Sequence, residues 1–550
     1  MLKTKTCTIS EKQFTITDED MAFYKKMGVP EPTLCPEERQ RRRTAFRNFR
    51  SLYRRKCDAT EKMMVSMYHQ EQKFPVYENE HWWSDAWDSM DYGIEIEPGK
   101  SFFDQYHALA QTVPRFAIYN LNCENCRYSN FAWMSKDCYL VFGCVRDENC
   151  INGHIVWDSK NCVDNLYLSR SEWCSECVDC IDGYDLHFST ECSGCIESYF
   201  LHDCRSCQNC FGCVGLKHKQ YYFLNEKLTK EAYEEKINSL KPFSRKTLEM
   251  GRDWLEKQKK TSAIFPTLFG VQAEDCDGNH VYESKNCKKA FDVKTSEDSS
   301  YLYTAFNQID CRDISFTGGR AEHCLDCLTL HDCMECRFTH GTFASNNMDY
   351  CEFCYECSDC FGCNGLRKKQ FCILNKQYSE TEYRTLKSQL ETQMRKDKEW
   401  GEFFPIHHSP FAYNEAIAQE YQPLSSEEVK AFNLKWREPE DGAMYEGKKV
   451  VVSDTIDAVP DEIIGQVLKC EASGKSYRVV KEELDFYRRV GLPLPRLCPD
   501  ERHQQRMKLR NPRELFDRKC STCQCEIHTT YAPERPEKVL CEKCYQDQIQ

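Results

Sequence analysis

The sequence predicts an α+β multidomain protein: two cysteine-rich, parallel β-solenoid-like arrays with helical spacers, flanked by a module duplicated at the two ends. Three observations predict it. Cysteines recur every twelve residues through the middle of the chain. The block Cys210-Phe211-Gly212-Cys213 returns 150 residues later as Cys360-Phe361-Gly362-Cys363. Residues 1–85 match residues 466–550 at a single offset of 463. At 550 residues the chain has room for several cores.

In the terminal pair, Cys7, Phe23-Tyr24, Gly28, Cys35-Pro36, Arg47-Asn48 and Arg55-Lys56-Cys57 recur. Their counterparts are Cys470, Phe486-Tyr487, Gly491, Cys498-Pro499, Arg510-Asn511 and Arg518-Lys519-Cys520. The C-terminal copy (466–550) also holds Cys520-x2-Cys523 and Cys541-x2-Cys544. Two thiolate pairs at this spacing present four sulfurs to one ion, the plan of a closed zinc-ribbon or treble-clef-like site. One structural zinc on Cys520, Cys523, Cys541 and Cys544 is therefore expected, with Arg518 and Lys519 favouring thiolates. The N-terminal copy (1–85) keeps Cys57 but places Thr60, Glu78 and His81 opposite the other three cysteines. Cys7, Cys35, Cys470 and Cys498 are likewise single, with Ser10, Glu38, Ser473 and Glu501 three positions on. These read as knuckles with degenerate ligands, the N-terminal one metal-free and held by aromatics such as Trp82 and Trp83.

Phe23-Tyr24-Lys25-Lys26, Pro30-x-Pro32-Thr33-Leu34-Cys35-Pro36, Trp82-Trp83-Ser84-Asp85 and the Phe-Gly-Cys blocks resemble a family of uncharacterised cysteine-rich, zinc-knuckle-containing proteins of uncultured small-genome bacteria. The resemblance covers nearly the whole chain and implies a double Cys-x2-Cys zinc module at each end. This sequence departs from that pattern at Ser10, Glu38, Thr60, Glu78, His81, Ser473 and Glu501. The resemblance implies no activity.

Each terminal copy carries an arginine run. Arg39, Arg43 and Arg47, and Arg502, Arg506 and Arg510, fall four apart and form one stripe if helical. With Arg42, Arg50, and the interleaved Phe46, Phe49 and Tyr53, such a stripe can bind RNA or DNA phosphates while rings stack on bases. The alternative is a solvated helix face, or pairing with the acidic remainder of the protein.

After a connector (86–114) ending in a helix, the first array (115–228) sets Cys126, Cys138, Cys150, Cys162 and Cys174 at twelve-residue intervals. Cys180, Cys192 and Cys204 continue after a phase shift. Polar triplets such as Ser135-Lys136-Asp137 alternate with β-favouring pieces such as Tyr139-Leu140-Val141-Phe142, the signature of a solenoid. Twelve residues make two short strands and two turns, or half of a coil of about 24 residues. Near the end of each array cysteine falls at every third residue: Cys204, Cys207, Cys210 and Cys213, then Cys351, Cys354, Cys357, Cys360 and Cys363. Bare thiol ladders, further zinc sites and an iron–sulfur cluster all fit that spacing. In the second array (263–378) Cys276, Cys287, Cys311, Cys324, Cys336, Cys360 and Cys372 keep the rhythm, and other residues fill the gaps. A position that other residues can occupy serves packing.

A helical spacer (229–262), capped by Thr229, follows the first array, and a helical arm (379–402), beginning at Ser379, follows the second. Residues 403–465 hold Pro405, Pro410, Pro423 and Pro439 and read as an extended linker with one short helix near Ser426 to Phe432.

The 38 cysteines, an N-terminus without an apolar signal segment and the absence of any long apolar run predict a cytoplasmic protein with no membrane partner. The net charge of −13 disfavours a chain that coats nucleic acid over its whole surface. No Gly-rich phosphate loop, nucleophile elbow or His-Glu-x2-His motif is present. The repeated pairs His202-Asp203 and His331-Asp332 are the residues to inspect for catalysis, although repetition favours a structural role. The expected function is a non-enzymatic zinc-binding scaffold, with RNA or DNA as the candidate partner of its arginine helices. The alternatives are a protein–protein interaction scaffold and a redox or metal-handling protein.

Overall fold

The computed structural model describes residues 3–317, 340–438 and 450–549, with residues 321, 322, 328, 330, 331, 333 and 334 between them. Cys324, Cys336 and Asp332 fall outside the described residues. The fold is mixed α/β, built from helices and many small, largely parallel sheets. Among the described residues no helix is long and apolar enough to cross a membrane.

In the first array every parallel pairing joins residues twelve apart, as in His154–Leu166 and Leu166–Val178. One full turn of backbone therefore takes twelve residues, not 24. Bridges recur at every third residue: Glu124–Lys136, Arg127–Tyr139, Asn130–Phe142 and Trp133–Val145. The residue after each bridge is left-handed, with φ of 50° at Asn125, 52° at Tyr128 and 53° at Phe131. Each turn thus has four three-residue sides, made of one inward residue, one ladder residue and one left-handed corner. Asn and Asp tolerate such corners best. They also hydrogen-bond along the column, Asn125 to Asp137 at 2.7 Å and Asn286 to Asp298 at 2.8 Å. Where another element presses on a corner, glycine takes it. A Cβ at Gly212 (φ +66°) would lie 2.5 Å from Leu224, and one at Gly362 (φ +63°) 2.8 Å from Phe102. The recurring Phe-Gly-Cys block is that corner.

The inward positions admit small to medium side chains. Cysteine shares them with Ala132, Val141, Ser159 and Leu168, all buried. The thiols lie within reach of the carbonyl two residues back, and many also of the one nine residues on. Cys162 reaches Lys160 O at 3.1 Å and Ser171 O at 3.6 Å, and Cys204 reaches His202 O at 3.5 Å and Cys213 O at 3.6 Å. Serine does the same: Ser159 donates to Trp157 O at 2.9 Å. The every-third-residue runs are thus successive sides of the turns: Cys204, Cys207, Cys210 and Cys213 fill one turn, and Cys351, Cys354, Cys357 and Cys360 fill another that Cys363 continues into the next, each a buried cysteine. The spacing weighed as metal ligation is the pitch of the sides. Burial pushes Cys351 far above the ordinary thiol range, Cys354 to about 12 and Cys357 to about 11.

The terminal copies clamp the arrays crosswise. In the N-terminal copy, helix Asp18–Lys26 ends at Gly28 (φ +65°) and helix Pro36–Thr44 starts after Cys35. In the C-terminal copy, helix Lys481–Val490 ends at Gly491 (φ +68°) and helix Pro499–Met507 starts after Cys498. Arg39 Nε lies 2.8 Å, and Arg43 Nη1 3.3 Å, from the carboxylate of Asp313 in the second array, to which Tyr24 also donates. The counterparts Arg502, Arg506 and Tyr487 close on Asp164 of the first array, Tyr487 at 2.7 Å and Arg506 at 3.3 Å. Asp164 and Asp313 are equivalent corners, two residues after Cys162 and Cys311, with φ of +60° and +63°. Beyond these helices, Val76–Tyr77 pairs in parallel with Arg115–Phe116 at the start of the first array. Val539–Leu540 pairs likewise with Phe265–Pro266 at the start of the second. Each terminal copy therefore grips the entrance of one array and the side of the other.

The spacers form the expected helices, Lys230–Leu240, Arg245–Ser262 and Glu380–Asp397. The segment after them departs from the expected linker. Residues 403–438 bury Phe403, Phe404, Phe411, Ile417 and Val429, and Phe411 stacks on Tyr68 of the N-terminal copy at 5.4 Å. Its prolines separate short helical turns, including Ile417–Tyr421 and the expected helix at Ser426–Ala431.

Two expected outcomes follow. Asp164→Asn removes the carboxylate that Arg502 and Arg506 share, leaving them Glu483 and Glu176, and Asp313→Asn removes the one that Arg39 and Arg43 share. Each should cost about 3–5 kcal/mol of unfolding free energy, read by urea titration. The raised thiols give the second. Thiols of the unfolded chain ionise near pH 8.5 while Cys351, Cys354 and Cys357 stay protonated, so their stabilisation is complete below that pH and lost above it. Stability should fall by about 1.4 kcal/mol per pH unit for each such thiol as pH rises from 8.5 towards 11. A flat denaturation midpoint over that range would contradict it.

Candidate metal centre and the cavity between the arrays

The hairpin Phe516–Lys519 with Glu526–Thr529 carries Cys520, Cys523 and Cys525 in its turn, and Cys541 precedes helix Glu542–Ile549. Cys520 N–H donates to Cys525 O at 2.9 Å and Gln524 N–H to Cys520 O at 3.0 Å, with Gln524 left-handed at φ +63°. That knuckle directs sulfurs to one point. Cys523 Sγ lies 3.4 Å from Cys525 Sγ and 3.7 Å from Cys541 Sγ. The sulfurs of Cys520, Cys523, Cys525 and Cys541 all lie within 4.8 Å of one another, a set able to hold a metal ion. The set expected from spacing contained Cys544 and omitted Cys525. Cys544 still meets Cys541, Cys523 and Cys520. Cys525 was legible as Cys523-x-Cys525, but only the left-handed Gln524 turns both thiols the same way. Burial opposes ionisation of Cys520, yet backbone N–H groups of Cys523 and Cys541 outweigh it and bring the thiol down to about 6. Arg518 does not serve these thiols. Its guanidinium donates to Ala532 O at 3.2 Å and Glu537 O at 3.1 Å.

The three degenerate knuckles keep the same turn. Cys7, Cys57 and Cys470 each donate N–H to a carbonyl five residues on, at 2.8, 2.9 and 2.9 Å. Where a second cysteine would stand, a hydroxyl bridges the site: Ser10 Oγ lies 3.6 Å from Cys35 Sγ, Ser473 Oγ lies 3.8 Å from Cys498 Sγ, and Thr60 donates to Glu78 at 2.8 Å.

The arginines turn inward. Besides the four that hold Asp313 and Asp164, Arg42 pairs with Glu402 at 2.7 Å and Arg50 with Asp500 at 3.3 Å. Arg47 lies buried with its guanidinium 3.9 Å from the Phe131 ring centre and 4.6 Å from that of Phe49. Arg510 reaches Asp179 at 2.9 Å and also Asp292. Arg39 is 4% exposed, Arg502 3%, and Arg43 and Arg506 0%, so a phosphate would have to displace carboxylates of the chain itself. The stripe read as a phosphate-binding face is an internal one because its partners lie hundreds of residues away in sequence.

Arg510 reaches the edge of a cavity of about 410 Å³ between the arrays, lined by Trp157, Tyr167, Glu191, His280, Tyr282 and Phe306 among others. His280 Nε2 lies 3.0 Å from Glu191 and 3.6 Å from Asp179, and Nδ1 lies 3.4 Å from Asp292. Donor atoms of Asp179, His280 and Asp292 converge within 4.8 Å. Arg510 nevertheless lies among them, 3.1 Å from His280 Nδ1, and supplies the cation. Burial opposes the charged imidazole, but Asp179 and Glu191 outweigh it and raise His280 to about 9. Burial raises Glu191 to about 7. His202 and Asp203 are tied elsewhere: His202 Nδ1 lies 2.7 Å from Thr190 Oγ1, and Asp203 accepts from Tyr545, four residues beyond Cys541. That pair anchors the cysteine-bearing helix to the first array.

Because His280 is raised, the folded state keeps a proton that the unfolded chain releases near pH 6.5. Its stabilisation is complete below 6.5 and is lost as pH rises towards 9. Between pH 6.5 and 8, below the range of the thiols, the wild type should lose about 2 kcal/mol that a His280→Gln variant does not lose, measured by urea unfolding. Equal slopes for the two proteins would contradict the assignment. No family model and no curated protein matches this chain.

Proposed function

We propose that this protein is a non-enzymatic zinc-binding scaffold. Two twelve-residue-turn solenoids form its body, and its terminal modules hold them together, the C-terminal one around a single structural zinc. The observation that carries this reading is the convergence of the Cys520, Cys523, Cys525 and Cys541 sulfurs on the module whose next strand, Val539–Leu540, pairs with the entrance of the second array. An all-thiolate, closed donor set suits zinc in a structural rather than a catalytic role. The metal would fix the knuckle and, through it, that strand. The array cysteines belong to the scaffold as packing, since their thiols are satisfied by carbonyls. RNA and DNA have no part in this reading, because the arginines first assigned to them are engaged within the chain.

Metal analysis with free-thiol titration on anaerobically purified protein tests it. One thiolate-bound zinc per chain is expected, with the buried array thiols reacting only after unfolding, and Cys523→Ser should abolish retention of that zinc. More than one thiolate-bound zinc per chain, or iron with sulfide, would replace the scaffold by a redox or metal-handling protein.

A further inference from the structure

Away from the cysteine cluster, three segments of the chain meet at His154, His503 and Glu420. His154 begins strand His154–Trp157 of the first array, His503 lies on helix Pro499–Met507 of the C-terminal copy, and Glu420 lies on helix Ile417–Tyr421. His154 is 0% and His503 1% exposed. His154 Nε2 lies 3.9 Å from Glu420 Oε2 and His503 Nε2 lies 3.6 Å from Glu420 Oε1. One donor atom from each residue lies within 4.8 Å of the other two. None of the four imidazole nitrogens has a hydrogen-bond partner, nor does Glu420 Oε2. Buried polar atoms are ordinarily paired, so unpaired atoms on three residues, one from each converging on a common point, mark a missing partner.

We propose that His154, His503 and Glu420 form a second metal site, for a divalent transition ion of the zinc type. Two imidazoles and one carboxylate are a donor set such ions accept, at bonds of about 2.0–2.2 Å that place donors roughly 3.3 Å apart. The observed separations reach that with a small inward movement. Three protein donors leave a position for water or an anion. Arg50, a neighbouring cation, donates through Nη2 to Asp500 and to Asn152, each at 3.3 Å, while its Nη1 is unpaired.

The duplication supports a specific role. Gln40 stands where His503 does in the other terminal copy, and Tyr303 is the second-array counterpart of His154. The repeated architecture is therefore built once without these imidazoles. Bound there, an ion would join the first array, the C-terminal copy and the 403–438 segment in one contact.

Cobalt titration of the chelator-stripped full-length protein distinguishes the two sites. About two equivalents should bind, one with thiolate-to-cobalt charge-transfer absorption and one with only the weaker visible bands of nitrogen and oxygen donors. His503→Gln and Glu420→Gln should each remove the second equivalent and keep the first, which also reports that the protein remains folded. Cys523→Ser should do the reverse, so failure of the cysteine site and failure of this one read separately. Binding of thiolate-ligated cobalt alone by the wild type, the result if water fills the site, would overturn the proposal. So would both equivalents surviving in Glu420→Gln, whose side chain is partly exposed.

Discussion

Everything in this structure depends on the narrowness of a twelve-residue turn. With four sides of three residues, each turn admits four inward side chains, and the backbone carbonyls above and below surround them. A side chain there must be small, must add apolar volume, and gains if it can donate a hydrogen bond to a carbonyl. Cysteine meets all three conditions, serine meets two, and alanine, valine and leucine fill the rest. The high cysteine content is thus first a solution to a packing problem. The same geometry places every third residue at a left-handed corner, which explains why Asn, Asp and Gly punctuate the arrays so regularly.

The corners also give the arrays their means of attachment. A parallel stack offers few protruding side chains with fixed direction, but a corner residue points outward at a set height. Asp164 and Asp313 use that position. Each is met by a tyrosine and two arginines one helical turn apart, so two copies of one module find two copies of one docking point. The crossing, with each terminal copy on both arrays, makes the duplicated halves interdependent: neither array has a clamp of its own.

Much of this was legible in the residues. The offsets of 463 and 150, the twelve-residue rhythm, the capped spacer helices at Thr229 and Ser379 and the Cys520–Cys523 knuckle all correspond to observed elements. What could not be read was direction and partnership. A cysteine at every third position has the same spacing whether it lines a core or binds metal, and the parallel register shows only that these sulfurs lie inside the turns. The arginine stripe was visible as a stripe, but its carboxylates lie on other segments and cannot be found by periodicity. Residues 403–438 lack periodicity because they pack as single side chains in gaps between other elements, which resembles a loop when read locally. His154, His503 and Glu420 were equally hidden, being three isolated residues from three regions.

The inward thiols have a further consequence, for the path back from the unfolded state. While folded, most of the array sulfurs are buried, and reagents reach them slowly. Once a turn opens, neighbouring thiols become exposed together, three residues apart along a flexible chain and free to ionise. Such pairs oxidise and exchange readily, and a disulfide between adjacent sides would hinder the small interior from closing again. Stability of this protein in air would then be a matter of how seldom the arrays open rather than of how favourable folding is. The clamps at Asp164 and Asp313 would set the lifetime of the thiols they help to enclose.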